Sequence, residues 1–519
     1  MSDGRTRQLQ DLRRLLYRKL DVDASKAISE ARLLTPTGEL GQSDVDVLKS
    51  CIFIDGGAQL RQPEVVAEGV DLLRDLTRNN PNRIDLTYNL GNGLSALAKT
   101  ASLGLQWYSE TSDLRREGRA CFETVGSSMV PPDLRGQAKT NHANLLIQSY
   151  RWLEAYELYR EAARIDSANA VASSGAAKVL LRAANLGVGP RPVLSAIARR
   201  YLQQTRSHQE ELVKYAGPDA LEVLKELPDE LDVDIQWPPD LTGADEYTRF
   251  VGENHLALSL TIEGLNTDIK RWDTLLIHSI REEIGTSHGV PTIFAMFNVL
   301  KADYLAARWL VYQAIQDKAP ESAVYSDTLD YANYGIRESS LVLAQRSVID
   351  ILDRIAVAAS EYLGLRGTPT SIYFWNRWHV NEKRKELKKP LEWQPEIQEE
   401  IEKGNLALIA LSEIAEDIDT GGYLAPQRTI RNASTHRFVV LHNLTTKPFR
   451  KSRYVEHFSR DDFERQTISA LRLVRSALIY FVEMVALREA RIGRESGFSG
   501  RLELPSHHWI RGEGDEDED

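Results

Sequence analysis

The chain has 519 residues, a formal net charge of -11, 42% hydrophobic and 27% charged residues, an ordinary globular balance with length for two to four domains at about 100–200 residues each. The acidic balance argues against a protein that coats nucleic acid with its whole surface, while leaving room for a local basic patch. Two cysteines, Cys51 and Cys121, exclude a disulfide framework and a four-cysteine zinc site and suit a reducing, cytoplasmic setting. The amino terminus, MSDGRTRQLQDLRRLLYRKL, is broken by charges and has no apolar core of a secretory signal. No run of about 18 apolar residues occurs, so neither a membrane span nor a membrane partner is expected.

Apolar residues recur at three- and four-residue spacing almost throughout, which predicts an all-α fold. Leu341, Ala344, Val348, Ile351, Leu352 and Ile355 make one such stripe, and Ile468, Leu471, Val474, Leu478, Phe481 and Val485 another. From about 45 to 185 a longer repeat overlies the helical one. In TNHANLLIQSYRWLEAYELYREAARIDSANA, Ala143 takes the small position of a first helix and Ala155 and Ala162 those of a second. Tyr159 lies between the last two, and Asp166-Ser167 closes the unit. One period of 34 residues after Ala143 falls on Ala177, again small. Earlier, Asn80-Pro81 closes one hairpin and TYNLGNGLSALA opens the next with Gly91, and an insertion is expected around Pro131-Pro132. This stretch resembles tetratricopeptide repeats, with the first 45 or so residues as a helical cap. The resemblance implies a solenoid whose concave face takes a peptide or partner protein, or one that only carries its neighbour.

The acidic, proline-rich segment from Glu226 to Tyr247 cannot continue a helix at Pro238-Pro239. It divides the chain into a repeat solenoid at 1–235, a second helical domain at 236–497 and an acidic tail at 498–519, expected to be disordered.

In the second part the segment Arg428 to Phe438, RTIRNASTHRF, carries the chemistry. Arg431 offers a charged fork of donors suited to phosphate, His436 can exchange a proton near neutral pH, and Asn432 can orient either. Helical positions five apart lie about 140° round the axis, not on one face; at a helix amino terminus after Pro426 the two could still converge on a groove. Such a set could cleave RNA without metal, the 2′-hydroxyl attacking phosphorus while His436 moves protons and Arg431 holds phosphoryl charge.

Arg431-Asn432-x-x-x-His436 resembles the R-x4-6-H signature of the HEPN superfamily (higher eukaryotes and prokaryotes nucleotide-binding). The predicted helices at 337–363, 395–418 and 461–492, and the segments LAQRSVIDILDRIA and IYFWNRWH, are similar to one bacterial subgroup with amino-terminal tetratricopeptide repeats. The resemblance implies a helical bundle with the motif opening its third core helix, and a metal-independent endoribonuclease acting as toxin or anti-phage effector under control of the repeats. It also implies homodimers whose motifs face each other, with Arg431, His436 and Asn432 catalytic. The alternative is a non-catalytic interaction or RNA-binding protein that uses the bundle to dimerise.

Between 428 and 460 the basic residues are Arg428, Arg431, Arg437, Lys447, Arg450, Lys451, Arg453 and Arg460, against one acid, Glu456. Arg428, Arg437, Lys447, Arg450, Lys451 and Arg453 are therefore expected to bind RNA phosphates, unless the run is only a solvated face. Tyr454 and Phe458 fit stacking on bases or packing equally well. Tyr373, Phe374, Trp375 and Trp378 read as a core plug, with His379 structural. GLSALAKT misses the phosphate-loop pattern at Ala98. His507-His508 has no accompanying ligand set, and no metal or cofactor is expected.

Overall fold

A computed structural model describes residues 3–101, 104–186, 191–226, 241–259, 273–282, 289–316, 318, 321–380, 392–419, 421–443, 452–495 and 500–504. Among them 19 helices dominate, with five short strands. Helices α1 (Asp3–Val22) and α2 (Ala24–Arg32) precede a row of helical hairpins. These pair α3 (Gln42–Gln59) with α4 (Pro63–Asn79), and α5 (Ile84–Thr100) with α6 (Leu105–Gly126). Next come α7 (Pro132–Gln148) with α8 (Trp152–Ile165), and α9 (Ala170–Leu186) with α10 (Arg191–Ser207).

The predicted small positions lie where these helices touch. Ala143, Ala155, Ala162 and Ala177 are wholly buried. A Cβ on Gly91 would stand 2.8 Å from the Phe122 ring, and one on Gly175 would stand 2.6 Å from that of Tyr159. Pro131-Pro132 is not an inserted loop. Pro132 opens α7, where a missing N–H costs nothing, and the extra length resides in the 22-residue α6.

Helices α11 (Gln209–Ala216), α12 (Asp219–Glu226) and α13 (Glu246–Glu253) follow. The domain boundary predicted at 235/236 lies outside the described residues. The carboxyl-terminal bundle comprises α14 (Thr292–Ile315), α15 (Ile336–Leu363), α16 (Pro395–Glu402), α17 (Ala407–Ile418), α18 (Ala425–His436) and α19 (Arg460–Glu495). The predicted helix at 395–418 is broken between α16 and α17 by Gly404, whose φ of +94° no L side chain adopts readily. Among the described residues no helix is long and apolar enough to cross a membrane.

Two small sheets were not foreseen. β1 (Ser279–Glu282) pairs antiparallel with β5 (Gly500–Glu503), so the tail expected to be disordered from 498 begins with a strand; residues 505–519 lie outside the described set. β2 (Ala332–Asn333) pairs with β3 (Phe438–His442), and β3 runs parallel to β4 (Val455–Ser459).

One apolar core runs from Ala143 in the third hairpin to Val485 in α19. Trp152, first in α8, donates its indole N–H to Glu483 of α19 at 2.8 Å, and Tyr480 takes the Leu153 N–H at 3.1 Å. Beside this seam lies a buried charge cluster. Arg115 and Arg119, one turn apart on α6, face Glu413 and Asp417, one turn apart on α17; Arg119 lies 2.8 Å from each acid. Arg151 reaches Asp417 as well. Burial pushes the Glu413 carboxyl up, but Arg115 and Arg119 outweigh it and hold it at about 2.

Candidate nucleic-acid site around Arg431 and His436

Helix α18 is short and strongly two-faced. Pro426 lies in its first turn, and Gln427, Ile430 and Ala433 form its buried stripe, with the helix packed against α15 and α17. Gln427 locks the docking: its side chain accepts from Gln345 at 2.9 Å and donates to Gln466 at 2.8 and 3.0 Å. The helix ends at His436 because Arg437 is extended, with φ -135° and ψ 169°, and begins the run into β3. The motif therefore occupies the closing half of its helix rather than opening it.

Arg431 leans out of this stripe toward α15. Its Nε donates to Asp350 at 3.1 Å and its Nη2 to Asp353 at 2.8 Å. Asp350 and Asp353 are three residues apart on α15, so both carboxylates present on one face. The guanidinium also lies 5.3 Å from the Trp375 ring centroid, and that of Arg428 lies 4.9 Å from it. Arg431 thus stays 17% exposed while fixed on three sides. Burial pushes the Asp353 carboxyl up, with the Phe374 N–H and Arg431 opposing.

Asn432 and His436 are exposed, and among the described residues nothing hydrogen-bonds to the His436 ring. Five residues of helix separate His436 from Arg431, about 7.5 Å of axial rise and 140° of rotation. One chain therefore presents the two groups on different sides of the helix, not clasped in a pocket.

The predicted basic patch is only partly available. Arg428 is paired with Asp419 at 2.7 Å, Arg437 with Glu456, and Arg460 with Glu464 at 2.6 Å. Arg453 lies 4.7 Å from the Tyr454 ring centroid. Lys447, Arg450 and Lys451 lie outside the described residues. The aromatic cluster divides: Phe374 and Trp378 are buried core, as expected, whereas Trp375 forms the floor under the two arginines. Sequence reasoning passed over Asp350, Asp353 and Asp419. Acids three apart within an apolar stripe, as in VIDILDRIA, were the available signal.

A further group of donor residues, not singled out by the sequence, lies on and beside the strands that follow α18. Asp330, His442 and His457 bring donor atoms within 4.8 Å of one another. Spacings of 112 and 15 residues hid them, and strand pairing gathers them.

Among known families, residues 284–488 match the LA2681-like HEPN family. No curated protein and no solved structure matches the chain. The carboxyl-terminal part of the chain is a HEPN domain, a class generally related to ribonuclease, toxin and defence functions at the superfamily level.

Proposed function

We propose that this HEPN domain is a metal-independent endoribonuclease that works as a homodimer and is restrained through its helical-hairpin solenoid, as a toxin or anti-phage effector. The observation that carries the reading is the held guanidinium of Arg431, oriented by Asp350, Asp353 and Trp375 and still partly exposed, with an exposed His436 on the same helix. Arg431 binds a phosphate, adding charge-assisted bonds as negative charge grows on the phosphoryl oxygens. The ribose 2′-hydroxyl attacks phosphorus, the 5′-oxygen leaves, and a 2′,3′-cyclic phosphate results. That step needs one proton removed and another delivered. A single His436 cannot do both at once, whereas two copies facing each other supply a base and an acid. Asn432 supports the phosphate or the ring.

Binding without cleavage is the competing reading, favoured by the carboxylates that already neutralise Arg431. Labelled single-stranded RNA incubated with the full chain in excess EDTA decides between them, beside Arg431→Ala and His436→Ala. Cleavage by the wild type and its loss in both folded variants supports the nuclease. Retained binding with no cleavage, even after addition of cell extract as trigger, supports the competing reading, and cleavage surviving His436→Ala moves the site elsewhere.

A further inference from the structure

The strands that leave α18 carry a second constellation. Parallel pairing sets Val440 opposite His457 and His442 opposite Ser459. The two imidazoles meet with His442 Nε2 2.8 Å from His457 Nδ1. On its other side, His442 Nδ1 lies 3.0 Å from the backbone carbonyl of Asp330. That carbonyl can only accept, so Nδ1 carries the proton and Nε2 presents a lone pair toward His457. An imidazole oriented through its remote N–H by a backbone carbonyl is the arrangement that metal-ligating histidines use.

The Asp330 carboxylate completes the group. The Thr328 hydroxyl donates to its Oδ1 at 2.5 Å and the Ala332 N–H at 3.3 Å. Its neighbours Leu329 and Tyr331 both hold positive φ, +58° and +59°, a strained backbone that side chains rarely adopt.

We infer that Asp330, His442 and His457 form a binding site for a zinc-class divalent cation. Two imidazole nitrogens and one carboxylate leave the fourth tetrahedral position to water. The mixed donor set disfavours magnesium and calcium, which take oxygen ligands. Nitrogens on a tetrahedral zinc stand about 3.3 Å apart at Zn–N distances near 2.0–2.1 Å. The rings need to part by about half an ångström from their 2.8 Å contact, as the ion replaces the shared proton. The ion would tie β3, which begins two residues after His436, to β4 and to the segment before α15. Its place is at the end of β3 remote from His436, outside the proposed cleavage site. The direct His442–His457 hydrogen bond keeps the strands joined when a chelator removes the ion.

The test is titration of the chelator-treated full chain with Zn2+, read by calorimetry, and with Co2+, read by visible absorption. The wild type is expected to take one ion per chain with the strong visible bands of a tetrahedral Co2+ site. Asp330→Asn and His457→Gln, both at partly exposed positions and checked for folding by circular dichroism, should each weaken binding at least tenfold. A His507→Ala/His508→Ala variant should bind as the wild type does. No stoichiometric binding by the wild type, equal binding by the folded Asp330 and His457 variants, or loss only in the His507/His508 variant would overturn the assignment.

Discussion

Arg119 of the hairpin solenoid and Asp417 of the HEPN domain meet as a paired fork, Nε to one carboxylate oxygen at 2.8 Å and Nη2 to the other at 2.9 Å, with both side chains wholly buried. Removing one partner leaves an uncompensated charge in the interior, which costs about 3–5 kcal/mol. Arg119→Ala should lower the unfolding free energy read from urea denaturation by that amount. Arg119→Leu with Asp417→Leu should recover a large share, because neither charge is then left alone. A double variant no better than the worse single one would show that the contact contributes packing only.

Glu413 gives the same seam a pH dependence. Its carboxyl is held at about 2 against an ordinary 4.5, so its stabilising effect is fully present above pH 4.5 and is lost as pH falls toward 2. The difference corresponds to about 3 kcal/mol. Chemical denaturation at pH 6 and pH 3 should show a smaller pH-dependent loss in Glu413→Gln than in the wild type, on a lower baseline.

Asp350 and Asp353 compete with any phosphate for Arg431. Asp350 is the more exposed of the two, 46% against 17%, and Asp353 also accepts the Phe374 N–H at 2.8 Å. Asp350→Asn should therefore tighten binding of a non-cleavable oligonucleotide a few-fold, as fluorescence anisotropy would show. Asp353→Ala should instead lower the thermal midpoint, since it strands a backbone donor.

Gly175 is expected to tolerate no methyl group. A Cβ there would stand 2.6 Å from the Tyr159 ring, so Gly175→Ala should destabilise by about 1–3 kcal/mol through overpacking, less about 1 kcal/mol of gained helix propensity. A combined Tyr159→Leu change should recover part of the loss, as thermal unfolding would report.

Long, strongly periodic elements were legible in the sequence. The predicted helices at 337–363 and 461–492 correspond to α15 (Ile336–Leu363) and α19 (Arg460–Glu495), because a continuous apolar stripe predicts both a helix and its buried face. The small residues of the hairpins were legible for a similar reason: Ala143 and Gly91 lie where neighbours approach too closely for larger side chains. What stayed hidden depends on partners far apart in the chain. Nothing in the sequence around Arg115 and Arg119 points to a buried pairing; α17, 298 residues on, brings Glu413 and Asp417 against them. FVVLH carries strand propensity, but its pairing with VEHFS is set by tertiary context. At the site, charge counting found the basic residues of 428–460 and missed the acids that answer them, since Asp350, Asp353 and Asp419 lie outside that stretch.

The apolar core that runs unbroken from Ala143 to Val485 makes the chain hard to take apart by design. A fragment beginning after the solenoid would expose the apolar face of the bundle that the hairpins cover, so it should aggregate. Grafting a foreign domain onto this bundle would require transplanting the inner faces of α6 and α8 along with it. The useful unit for engineering is the third hairpin, α6 and the bundle together.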